Sequence, residues 1–121
     1  MAITHSAAGR NTMADAVLAL VDNGKLEFQT SAGVEVATLD LSATAFQAAD
    51  DGVAEANSIT PDTDATGGTI AQFELQDSGG TAVLFGAVTV VGGGGDIQIS
   101  SVSIGPGDTV SVTSLEYTAP V

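Results

Sequence analysis

The sequence predicts a mainly β fold: a β-sandwich or small barrel of about seven or eight antiparallel strands with one N-terminal amphipathic helix. Two observations support this. Apolar residues first recur with a helical period, and from residue 25 onward they alternate with polar residues. Turns containing glycine, proline or aspartate separate the alternating segments. No long linker divides the 121 residues, so we expect a single domain, 1–121, with an arm and helix over 1–24 and the sandwich over 25–121.

The helix is predicted over residues 7–22, where apolar side chains recur at i, i+4, i+7 and i+8. The stripe consists of Met13, Val17, Leu20 and Val21, and Leu18 and Ala14 widen it. Asn11 or Thr12 is a candidate N-cap, and Gly24 is a candidate left-handed C-cap. We expect the apolar stripe to cover the protein's own sheet and residues 1–10 to contact a partner.

A hairpin is predicted next. Residues 25–30 and 34–41 alternate in polarity, and the glycine-containing turn 31–33 joins them. The phase of the alternation shifts within the second strand, which predicts a bulge near Ala37. Residues 42–52 are alanine-rich and are interpreted as a connection between sheets or a short turn of helix.

Five further segments alternate or are β-rich: 53–59, 69–77, 81–91, 96–104 and 109–118. Loops or turns are predicted between them at 60–68, 78–80, 92–96 and 105–108. Segment 81–91 is apolar on both faces, which indicates a central or interface strand. In segment 109–118 the apolar residues change from one phase of the alternation to the other, so we expect a bulge or a strand with apolar residues on both faces. The run GGGGD at 92–96 is interpreted as a flexible hairpin loop.

Charge is distributed very unevenly. The chain has two basic and 15 acidic residues, for a net charge of −13. Residues 1–25 are neutral overall, so residues 26–121 contain no basic residue and all of the excess negative charge. Such a surface repels phosphate backbones and anionic lipid, so we expect no nucleic-acid or membrane partner. No apolar run approaches the roughly 20 residues of a membrane span.

The residue inventory predicts no enzyme and no cofactor. There is no cysteine, and the single histidine, His5, lies near the start of the chain without a local carboxylate to orient it. The glycine run at 92–96 is followed by Asp96 and a strand, whereas a phosphate-binding loop requires a lysine, a Ser/Thr and a helix. The acidic residues are numerous enough to supply paired carboxylates, but there is no tryptophan and only one tyrosine to form a carbohydrate platform.

One segment invites a metal hypothesis. In loop 60–68, Asp62 and Asp64 occupy the first and third positions of an EF-like loop, and Asp50 or Asp51 is a candidate additional ligand. However, Phe73 occupies the twelfth position, where such loops place glutamate. Aspartate is also common in turns for its own hydrogen bonds, so the preferred prediction is no metal site.

Three segments resemble short virion structural proteins of tailed bacteriophages, most closely capsid decoration (cement) proteins. They are MAITHSAAGRNTMADAVLALVDNGKLEFQT, VATLDLS and GDTVSVTSLEYTAP. The resemblance implies a protein that is made in the host cytoplasm and attaches to the capsid exterior. It also implies the major capsid protein and further copies of the chain as partners, with homo-oligomers such as trimers.

Two alternatives stay open. One is a tail, neck or fibre-associated protein of the same particle. The other is a small surface-displayed module that binds glycan or calcium. Under the decoration hypothesis, the helix and strand 81–91 are candidate subunit contacts, because both have more apolar surface than one small core needs.

Overall fold

A computed structural model describes residues 3–121 and shows a mainly β protein with one helix near the N-terminus. A curled five-stranded sheet is joined by two two-stranded sheets, in a sandwich or half-barrel arrangement. The elements are α1 (Ala7–Ala19), β1 (Lys25–Gln29), β2 (Glu35–Asp40), β3 (Val53–Glu55), β4 (Gly68–Thr69), β5 (Gln72–Gln76), β6 (Ala82–Val90), β7 (Ile97–Ile99), β8 (Ser103–Ile104) and β9 (Glu116–Thr118).

The large sheet has the order β2-β1-β5-β6-β7, while β3 pairs with β9 and β4 with β8. The predicted first hairpin is confirmed, since β1 and β2 pair in antiparallel register. Phe28 pairs with Ala37 and Gln29 with Glu35, so Val36 is an extra residue on β2. The bulge predicted near Ala37 is therefore present.

The core lies on one face of this sheet. Leu26 of β1 is opposite Leu75 of β5, and Phe28 is opposite Phe73; all four side chains are buried. This is the direct result of alternation, which sends every second side chain to the same face. Burying side chains of this size contributes about 1.5–3 kcal/mol each. Residues of α1 and of the C-terminal segment belong to the same apolar cluster.

Helix α1 starts where the pattern predicted, but its N-cap differs and one residue of the predicted stripe is exposed. Ser6 is the N-cap, because its Oγ accepts a hydrogen bond from the Gly9 N–H at 3.1 Å. The prediction that Asn11 or Thr12 caps the helix is therefore wrong. The residues with buried side chains on this segment are Ala14, Leu18 and Val21. Leu20, placed in the predicted stripe, is 59% exposed, because it follows the last helical turn and faces away from the sheet.

The end of α1 also differs from the prediction. Asn23, with a φ of 56°, adopts the left-handed conformation that was expected of Gly24. Gly24 is needed for space instead, because a Cβ atom there would lie 1.9 Å from the carbonyl oxygen of Gln76. The chain thus passes from α1 into β1 directly against the end of β5.

Polar side chains attach α1 to the connection that follows β2. They belong to the helix and its following turn, and each accepts a backbone N–H: Asn11 from Gly52 at 2.7 Å, Asp15 from Ala49 at 2.8 Å and Asp22 from Ala45 at 2.8 Å. The connection itself is extended, with bridges at Phe46 and Asp50, and the short helical turn considered there is absent. Helix α1 therefore packs on its own chain, as expected.

Two predicted strands are broken and one predicted hairpin is wrong. Segment 96–104 divides into β7 and β8, and segment 109–118 pairs only at Val110 and over β9. Strands β6 and β7 are parallel, so 92–96 is not a hairpin loop. Helix α1, the helix found within residues 3–121, is not long and apolar enough to cross a membrane.

Candidate interaction surface

The glycine run at 92–96 folds back over the end of β6. The Thr89 hydroxyl accepts a hydrogen bond from the Gly95 N–H at 3.0 Å, and Asp96 accepts one from the Ala87 N–H at 2.9 Å. A Cβ atom at Gly93 would lie 2.6 Å from that of Thr89. These contacts hold the glycine run against the end of β6, ahead of β7, which pairs with β6 in parallel register. The role of the run is structural, in keeping with the absence of the residues that a phosphate-binding loop requires.

Asp62 fastens the loop 60–68 to the sheet. Its Oδ2 accepts a hydrogen bond from the Thr38 N–H, and its Oδ1 accepts one from the Asp64 N–H, both at 2.9 Å. Its backbone pairs with Val110 in both directions, at 3.0 and 2.8 Å. Both carboxylate oxygens are thus engaged with backbone amides at the outer edge of β2, which accounts for an aspartate at this position without a metal ion.

The other acidic residues considered for calcium lie elsewhere. Asp50 and Asp51 form the turn before β3, and Asp51 lies 3.9 Å from the Arg10 guanidinium of α1. Over residues 3–121, no three His, Cys, Asp or Glu side chains form a group that could hold a metal ion. The only histidine, His5, is exposed ahead of α1. The structure therefore does not bring the candidate site residues together.

The outward face of the large sheet carries a ladder of amides and carboxylates. Glu27 and Glu74 are directly opposite each other on β1 and β5, and like charges in such positions repel. The Gln29 side-chain amide donates a hydrogen bond to each of these carboxylates, and Gln72 donates one to the Gln29 oxygen at 3.0 Å. This pair of carboxylates is half-buried on the face of the sheet opposite the core, and hydrogen bonds from the buried Gln29 amide engage both members.

Both basic side chains are engaged within the chain. Arg10 donates hydrogen bonds to the carbonyl oxygen of Ala119, and Lys25 donates one to Asp40 at 2.8 Å. The outer surface formed by residues 3–121 is consequently dominated by carboxylates, most of which lie in the first two thirds of the sequence. Twelve of the 15 acidic residues occur within residues 1–77.

One side of the molecule departs from this acidity. Residues 78–115 contain only two ionisable side chains, Asp96 and Asp108, and each accepts a hydrogen bond from a backbone N–H nearby. We call β6, β7 and segment 111–115 the charge-poor face, because none of these three stretches contains an ionisable residue. They are neighbours in space, since β7 pairs with β6 and lines a cleft with 111–116.

The charge-poor face exposes large apolar side chains. Phe85 on β6 is 75% exposed and lies opposite Glu74 on β5. Val90 and Val91 are also exposed, at the end of β6. An exposed aromatic ring on a sheet face is a recurrent feature of protein contact surfaces. The prediction that strand 81–91 has more apolar surface than the core needs is in line with these positions.

Two clefts flank segment 111–115. One, of about 450 Å³, separates it from β7, and the other, also of about 450 Å³, separates it from residues 56–59. Val112 and Leu115 line both. Neither cleft was expected, because the pattern predicted a strand over 109–118, with a bulge or with apolar residues on both faces. The scarcity of charge over 78–115 is, however, visible in the sequence and marks this side of the protein.

This surface offers groups that contacts between proteins use. Uncharged backbone, exposed valine and phenylalanine side chains and small polar residues offer hydrogen bonds and apolar contact to another polypeptide. No protein-family model matches the sequence, and neither a curated protein nor a solved structure matches it.

Proposed function

We propose that the protein is a non-enzymatic structural component of a tailed-phage virion, a decoration protein that binds the capsid exterior and stabilises the head shell. Its partners are the major capsid protein and further copies of itself. The segments that resemble such proteins support this proposal, and so does the small, cysteine-free β-rich chain. The surface adds a physical reason for association.

The observation that carries the proposal is the charge-poor face with its exposed Phe85. Copies of a chain with a net charge of −13 repel one another, so close contact is least costly where ionisable side chains are fewest. Around Phe85 these are Glu74, opposite it on β5, and Asp96 and Glu116, which line a cleft with it. Burying Phe85 and the valines at the end of β6 removes apolar surface from water, at about 25 cal/mol per Å². The acidic remainder of the surface stays outward and keeps decorated particles dispersed.

Many identical contacts strengthen a shell even when each is modest. A decoration protein that touches neighbouring capsid subunits links them, and the effective concentration of each further contact is raised by the first. The carboxylate-rich ladder on β1 and β5 is unsuited to nucleic acid and to anionic membranes, which fits a partner made of protein.

The number of copies of the chain per virion tests where in the particle it lies. The virions are produced from the genome that encodes the chain. We expect hundreds of copies per particle and co-purification with tailless capsids. A count of about six or twelve, as a closed ring gives, supports the tail or neck alternative and overturns the decoration proposal. Absence from purified particles overturns both.

A pair of variants tests the surface. Phe85→Asp should abolish binding to undecorated capsids, because it places a charge in the contact. Val34→Asp is the matched control, since Val34 is 61% exposed and lies outside the charge-poor face. Equal binding by the two variants would contradict the role assigned to Phe85.

A further inference from the structure

Segment 111–115 is strand-like in sequence but unpaired in the fold. Val110 pairs with Asp62, and pairing resumes only at β9, which lies beside β3. Between these points, the one backbone hydrogen bond within the described chain is donated by the Ala56 N–H to the Leu115 carbonyl at 2.8 Å. The peptide groups of 111–114 therefore have donors and acceptors available to another strand.

An edge of the large sheet faces this segment across a cleft. β7 is the last strand of the sheet, and its Ile99 carbonyl accepts a hydrogen bond from the Val91 N–H on the β6 side. In an extended strand the peptide groups alternate in direction, so those of Gln98 face the opposite way, and Gln98 lines the cleft. Such an open edge is a template for an added strand.

We infer that the cleft between β7 and segment 111–115 binds a β-strand from a second copy of the chain, contributed by residues 3–6 of that copy. This inference rests on the self-association part of the proposed function. It specifies which segment of the second copy binds and which cleft of the first copy it binds to.

Residues 3–6 have the properties that the cleft requires. Ile3 and Thr4 are β-branched, a residue type favoured in strands, and Ile3 is 83% exposed in the chain as it stands. Ser6 already has an extended backbone, with φ of −66° and ψ of 164°. Four extended residues reach about 13 Å, enough to lie along three-residue β7.

The charge of residues 3–6 suits them to the cleft better than the acidic segments of the chain. Residues 3–6 contain no carboxylate, and their only ionisable side chain is His5. Asp96 and Glu116 line the cleft, so an acidic strand is repelled there whereas a neutral or cationic one is not. Val112, half-buried beside the cleft, offers apolar contact to Ile3.

Disulfide trapping tests the placement, because the natural chain contains no cysteine. One chain with Ile3→Cys and a differently tagged chain with Thr113→Cys are mixed under a mild oxidant, so that only contacts between copies give the mixed dimer. We expect it to form at least about tenfold faster than the dimer from Val34→Cys and Thr113→Cys. Equal rates would overturn the inference.

Sedimentation equilibrium gives an independent readout. The natural chain should self-associate, Ile3→Asp should shift the protein to monomers, and Val34→Asp should leave association unchanged. A natural chain that stays monomeric, or an Ile3→Asp chain that associates normally, contradicts the strand-exchange inference. Virion copy number is measured separately, so failure here leaves the decoration proposal standing, and absence from virions leaves strand exchange standing.

Discussion

The guanidinium of Arg10 donates two hydrogen bonds to the backbone carbonyl of Ala119, from Nε at 3.3 Å and from a terminal nitrogen at 3.1 Å. The arginine side chain is only 14% exposed, and Ala119 is buried. These hydrogen bonds join helix α1 to the C-terminal segment, 109 residues further along the sequence. The helix is part of the fold and not a detachable arm, which leaves only residues ahead of it for exchange between copies.

Replacing Arg10 with alanine should lower the free energy of unfolding by about 1–3 kcal/mol, because the Ala119 carbonyl loses its donors in a buried position. Asp51→Asn should change it by no more than about 1 kcal/mol, since the Asp51 side chain is 82% exposed and its ion pair is long. Urea denaturation measures both. Equal losses would show that the ion pair, and not the carbonyl contact, holds the helix.

Gly24→Ala should destabilise the protein by about 1–3 kcal/mol or more, because the new methyl group meets the Gln76 carbonyl, which belongs to a strand and cannot swing aside. Gly79→Ala is the control, since its Cβ would meet only a side-chain oxygen of Asp77 at 3.4 Å. Thermal unfolding compares the two. A neutral Gly24→Ala would mean that residue 24 does not lie in close contact with the end of β5.

Asp62→Ala should cost about 1–3 kcal/mol, because the Thr38 and Asp64 N–H groups lose a charged acceptor. Asp64→Ala should cost less, since the Asp64 carboxylate accepts none of the hydrogen bonds that hold this loop to β2. Denaturant unfolding in the presence and absence of millimolar calcium measures the difference. A calcium-dependent rise in the stability of the natural chain would favour the metal hypothesis instead.

Self-association should strengthen as NaCl is raised from about 20 to 500 mM. Salt screens the repulsion between acidic copies, whereas the charge-poor face contains no ion pair to weaken. Sedimentation velocity at several salt concentrations measures the shift. Weakening by salt would indicate contacts made through charged groups and would exclude the charge-poor face as the interface.

The elements that were predicted correctly are those fixed by local pattern. The β1–β2 hairpin follows from alternation and a short turn, and its bulge follows from a change of phase near Ala37. The helix and most of its apolar side were also predicted, including Ala14 and Leu18, which are buried; Leu20 is the exception, because it follows the last helical turn and is exposed.

The errors in the second half arise from contacts between residues that pattern cannot pair. Four glycines before Asp96 predict a hairpin loop, because glycine is common in such loops. In the fold, Asp96 and Thr89 accept hydrogen bonds from the Ala87 and Gly95 N–H groups, and β7 pairs with β6 in parallel. Segment 111–115 has the composition of a strand but pairs with a neighbour only through the Leu115 carbonyl, which accepts a hydrogen bond from the Ala56 N–H. The charge-poor face was implicit in the sequence; the cleft beside it depends on where β7 ends, which only the fold shows.

The engagement of both cations has a consequence for proteolysis. Trypsin cleaves after lysine or arginine, and this chain offers only Arg10, inside a helix with its side chain largely buried, and Lys25, at the first residue of β1. Cleavage at either site requires the local structure to open, so digestion reports the population of opened molecules. The folded protein should accordingly persist in trypsin, and the rate at which it is cut becomes a direct gauge of how tightly its N-terminal region is held.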